Sequence, residues 1–218
     1  MVEEKGDAGH GFAPQTRMQE ILNTISMLLP AVLMSLEVGS PGYANVRRDW
    51  QVVIFILALW VHCFFSLLYH IRCTLKCDAH HIDNPYRRLD QSAIHGVCAV
   101  WAWCLSGSLI YGSLMLLANA WCIAQLWQPG PKSWGWKVRA RLAATTFSYL
   151  LPLAFRDGQL LHFGIALGLI SVAFFCFVFS QRWLCGYGHA FFHIILAPYG
   201  IILLRSVKAV RVSPMGLP

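Results

Sequence analysis

Apolar residues in this chain arrive in blocks of about twenty, the length that crosses a bilayer as a helix, and not in the alternating or amphipathic patterns of a soluble core. Hydrophobic residues make up 57% of the 218, and charged residues only 12%, about half the share of a soluble domain. The pattern reads as an all-α, polytopic integral membrane protein, a seven-transmembrane helix bundle. Spans are expected at 20–37, 51–72, 91–108, 109–128, 140–155, 159–180 and 187–206, framed by a polar tail over 1–19 and a basic tail over 207–218. Spans three and four form one apolar stretch, for which Leu105-Ser-Gly-Ser-Leu109 offers a turn. Span five is short and carries Pro152.

The polar first twenty residues contain no cleavable signal peptide pattern. The net charge of +7 suits loops at anionic headgroups, and no basic segment is interleaved with aromatics as a nucleic-acid groove requires. With the N-terminus on side one, eleven of the 17 Lys and Arg residues fall on that side and six on the other, so the N-terminus is expected in the cytosol. Eight cysteines, mostly within spans, read as small buried hydrophobes and not as a disulfide framework. Trp127, Trp134, Trp136 and Trp183 lie near span ends and read as interfacial anchors. Glu37 belongs to the opposite side, and Gly164 and Gly168 form a small-xxx-small pair expected to favour close helix packing. Span seven lacks a mid-membrane lysine for a retinal Schiff base, and no repeated halves suggest a transporter.

Several polar residues stand where hydrocarbon should exclude them. Span two ends with Ser66-Leu-Leu-Tyr-His70, span three opens with Leu89-Asp90-Gln-Ser92, and span seven opens with His189-Ala-Phe-Phe-His193. The topology brings all three segments to one membrane depth, and Ser66/His70 and His189/His193 are each four apart on one helix face. Alone, the last pair would read as packing histidines. With His70 and Asp90 at the same depth, the three imidazoles read as ligands of a catalytic zinc, which needs three protein donors and an open position. Zinc lowers the pKa of a coordinated water to about 7. Asp90 is then expected to hold or deprotonate that water, or to orient a histidine, and Ser66 to donate to a developing oxyanion. The structural alternatives are that Asp90 caps span three or pairs with Arg87 or Arg88, and that Ser66 bonds its own helix.

His62 and His162 read as packing or interhelical hydrogen-bonding residues, and His95 as a supporting partner of the site. Cys73, Cys77, His80 and His81 match no standard zinc spacing and read as a solvated loop.

With Ser66-x-x-x-His70, Leu89-Asp90-x-Ser92 and His189-x-x-x-His193 in order, the chain resembles the CREST superfamily of seven-span membrane hydrolases. That group includes alkaline ceramidases, adiponectin and progestin receptors, Per1 proteins and the myomaker branch. The resemblance covers roughly residues 20 to 206. It implies zinc held by His70, His189 and His193, with Ser66 and Asp90 completing the site, and cleavage of amide or ester bonds in lipids entering from the bilayer. Leu89-Asp90-Gln-Ser92-Ala-Ile94 is similar to the adiponectin-receptor branch, whereas Tyr69-His70-Ile-Arg-Cys73 and Leu29-Pro30 are similar to the myomaker branch, so no branch is assigned. The acidic N-terminus of the ceramidases is missing. The alternative that the resemblance leaves open is a non-enzymatic receptor or membrane-remodelling protein with a structural zinc.

Overall fold

In the computed structural model of the protein, the described residues are 16–46, 49–75, 84–128 and 136–212. They form seven α-helices: α1 (Arg17–Gly39), α2 (Trp50–Leu75), α3 (Pro85–Ser106), α4 (Leu109–Leu126), α5 (Trp136–Ala154), α6 (Leu160–Trp183) and α7 (Gly188–Val212). A single 3-10 turn, Pro41–Tyr43, follows α1. Five helices, α1, α2, α4, α6 and α7, are long and apolar enough to cross a membrane. Their outer faces carry exposed Ile25, Leu36, Leu57, Leu109, Ile110 and Leu117, a surface suited to lipid and not to water.

Several helices run past the apolar blocks that announce them. α1 starts at Arg17, inside the expected tail, because Thr16 and Gln19 form a reciprocal capping box that satisfies the first amides. α3 starts at Pro85, not 91, since Asn84 accepts a bond from the Tyr86 amide and proline is preorganised for a first turn. Asp90 therefore lies well inside α3, and the capping role belongs to Asn84. α7 continues to Val212, beyond the expected end at 206. The turn between α3 and α4 falls where Leu105–Leu109 suggests. There Gly107 adopts φ 67°, and the Ser108 hydroxyl accepts from the Tyr111 amide.

α3 is the central helix and packs against α2, α4, α5 and α7. α1 lies in the groove between α2 and α7, and α6 packs on α5 and α7. The middle of the bundle is aromatic. Phe55 stacks on Trp101 at 4.4 Å between centroids, Trp101 Nε1 donates to the Phe55 carbonyl, and the Tyr149 and Tyr199 hydroxyls pair. Close approach is made by glycines other than the predicted pair. A Cβ on Gly112 would strike Trp103, and one on Gly200 would strike Met34, whereas Gly164 and Gly168 face open space. The spacing of the latter pair is right, but their shared face points away from the neighbouring helices.

Candidate metal centre

The inward stripe of α2 reads His62/Cys63, Ser66, Tyr69/His70 and Cys73, one buried position per turn. His70 is 1% exposed, near the end of α2. α7 brings His189 and His193 against it, again one turn apart. The start of α7 is set by a tight turn in which Cys185 and Gly186 take φ 48° and 85°. The Gln19 side-chain amide of α1 donates to the Cys185 carbonyl at 2.8 Å, which ties that turn to the first turn of α1.

The three imidazoles meet in the order the sequence suggests. Ring centroids are 4.9 Å apart for His70–His189, 5.5 Å for His70–His193 and 4.7 Å for His189–His193, with planes inclined by 80°, 79° and 68°. One nitrogen from each lies within 4.8 Å of the others. His70 Nε2 is buried and without a hydrogen-bond partner, while its Nδ1 sits 2.8 Å from Glu20 Oε2. His193 Nδ1 sits 3.2 Å from the Asn23 carbonyl and 3.1 Å from Ser26 Oγ. A buried imidazole nitrogen left unpaired is costly, and neutral imidazole nitrogens are good donors to a transition metal. This group of histidines can hold a metal ion, and no other group of three such donors occurs among the described residues.

Ser66 is buried one turn before His70 on the same face of α2. Asp90 Oδ1 lies 3.3 Å from His62 Nε2. Asp90 thus bridges α3 to α2 through a histidine that is not one of the three. The carboxylate that touches one of the three is Glu20. Its place at the boundary between the polar tail and span one hides it from the pattern of apolar blocks. The available signal was a polar stripe, Glu20, Asn23 and Ser26, entering an otherwise apolar helix.

The remaining candidates lie elsewhere. His95 is buried and pairs with Asn119 Oδ1 of α4 at 2.9 Å, so it supports the α3–α4 contact and not the histidine group. His162 pairs locally with Gln159 and joins α6 to α7 through Ser206. Ser92 partners Trp127 Nε1 at 3.0 Å. Cys73 is buried in α2 and not in a loop, and Cys77, His80 and His81 lie outside the described residues. No protein-family model matches this chain, and no curated protein matches it either.

Proposed function

We propose that the protein is a seven-span, zinc-dependent intramembrane hydrolase of lipid amide or ester bonds, of the CREST type. The observation that carries the reading is the convergence of His70, His189 and His193, with His70 Nε2 buried and unpartnered. Three histidine donors are the number that a catalytic zinc site takes from the protein.

A zinc ion there would supply a Lewis acid for a carbonyl and a water acidified to a pKa near 7. The chain's own residues supply the rest. Asp90, held by His62, is the carboxylate that accepts a proton from the attacking water and returns it to the leaving amine or alkoxide. Ser66 donates to the oxygen that becomes negative as the carbonyl carbon turns tetrahedral. The surrounding apolar bundle keeps bulk water away, which strengthens both interactions. A substrate with long acyl chains would reach the site from the lipid around α1, α2 and α7. On this reading the less apolar helices α3 and α5 also span, their polar residues sheltered by several helix neighbours.

The test is zinc stoichiometry on detergent-purified protein, followed by turnover on ceramide-like amides and acyl esters. Wild type should carry one zinc per chain, and His70→Ala and His193→Ala should lose both metal and hydrolysis. Metal-free wild type would end the proposal. Zinc without turnover on any amide or ester lipid would favour a receptor or remodelling role instead.

A further inference from the structure

Three polar positions on α1 touch two of the three histidines, and they do so from one helix. Glu20, Asn23 and Ser26 follow at roughly one-turn spacing and face the groove between α2 and α7. The Glu20 side chain is 3% exposed, and that of His70 1%. A carboxylate this deep demands compensation.

The chemistry of the partners fixes where each ring carries its proton. Glu20 Oε2, 2.8 Å from His70 Nδ1, accepts and cannot donate while ionised, so Nδ1 bears the hydrogen and Nε2 keeps its lone pair. The Asn23 carbonyl can only accept. At 3.2 Å from His193 Nδ1, it selects the same tautomer there. Ser26 Oγ donates to that carbonyl at 3.1 Å, which leaves its own lone pair for His193 Nδ1 at 3.1 Å. A lone pair on Nδ1 would instead face the carbonyl lone pairs. Both rings thereby keep the Nε2 lone pair free for a metal, the arrangement that a carboxylate or carbonyl behind a metal-bound histidine enforces elsewhere.

We propose that α1 is the positioning element of the metal site, with Glu20 fixing the His70 ring and the Asn23 carbonyl and Ser26 hydroxyl fixing the His193 ring. The proposal rests on the metal-site reading above. It adds that the affinity of the site is set by a helix that contributes no ligand. Glu20 matters twice, as the acceptor that sets the tautomer and as the negative charge that makes the imidazole a stronger donor toward a divalent cation.

The experiment is competition of the full-length, detergent-purified protein against a zinc-chelating dye, with the visible spectrum of the cobalt(II) form as second readout. Glu20→Ala should weaken zinc binding about 10- to 100-fold. Glu20→Gln keeps an oxygen acceptor, so its affinity should fall between wild type and Glu20→Ala, and loss of the charge should shift its cobalt bands. Ser26→Ala removes one of two acceptors and should cost about two- to tenfold. Zinc affinity and cobalt bands unchanged in Glu20→Ala would overturn the proposal and leave the three-histidine site standing. If Glu20→Ala does not fold, unshifted bands in both Glu20→Gln and Ser26→Ala overturn it equally. Wild type that binds neither zinc nor cobalt would overturn the site and the proposal together.

Discussion

The two glutamates of α1 make opposite use of the same side chain. Glu20, at one end, is buried against His70 in the histidine group. Glu37, at the other, is a quarter exposed, and its Oε1 receives both Nε and Nη2 of Arg205 at 3.1 Å. Around Glu37 the bundle opens into a cleft of about 400 Å³ lined by Ser40, Tyr43, Arg205 and Lys208. Lys208 Nζ donates to the Gly42 carbonyl and stands 4.9 Å from the Tyr43 ring centre. The Tyr43 phenol is pushed up to about 12, first by burial and then by the Glu37 carboxylate. One end of α1 is thus a committed, water-poor polar group, and the other is a solvated ion pair. A buried pair costs more when broken than it contributes while intact, whereas an exposed pair is worth little either way.

The strongest way to break this contrast is His70→Ala. It leaves the Glu20 carboxylate buried without its imidazole, for which about 3–5 kcal/mol of lost stability is expected. Thermal unfolding in detergent, with chelator in both samples so that metal loss does not contribute, measures it. Pairing the change with Glu20→Gln should recover part of that loss. A single-variant loss below about 1 kcal/mol, the size seen for exposed pairs, would mean that Glu20 is solvated and the contrast false.

How much of this was legible in the sequence follows the same division. Apolar blocks give the number and order of helices, because the length of each block is its own property, although only five of the seven are apolar enough to cross a membrane. Helix ends are not given that way. Thr16–Gln19 and Asn84–Pro85 extend α1 and α3 by capping, which apolarity does not register. The three histidines were legible because i, i+4 spacing and topology place them without any knowledge of packing. Glu20 was not, since a glutamate at the edge of a span looks like an interfacial residue until its neighbour from α2 is known. Gly164 and Gly168 show the converse error, a packing pattern on a face with nothing against it.

That pair supplies the next comparison. Gly186 takes φ 85°, and a Cβ there would strike the Gln19 amide. Gly186→Ala should therefore cost about 1–3 kcal/mol for a strained left-handed residue. It should also weaken zinc binding, because the turn it distorts sets the start of α7 and with it His189. Gly164→Ala meets open space, and relief of helical glycine entropy should stabilise it by about 0.5–1 kcal/mol. Unfolding and dye competition on both variants give the answer. Equal zinc affinity in Gly186→Ala and wild type would show that the Gln19–Cys185 tie does not reach the site.

The smallest expected effect is the most informative about the far end of α1. Glu37→Gln removes the charge facing Arg205, whose side chain is 52% exposed. Water and salt already screen such a pair, so a loss of about 0–1 kcal/mol is expected, diminishing further as ionic strength rises and the Debye length shortens. Zinc affinity should not move, because Glu37 and Glu20 lie at opposite ends of a 23-residue helix. A salt-insensitive loss well above 1 kcal/mol would show that the cleft is closed to water in the membrane. Glu37 would then be a second buried charge, and the asymmetry of α1 would lie in what each end binds and not in how deeply it is buried.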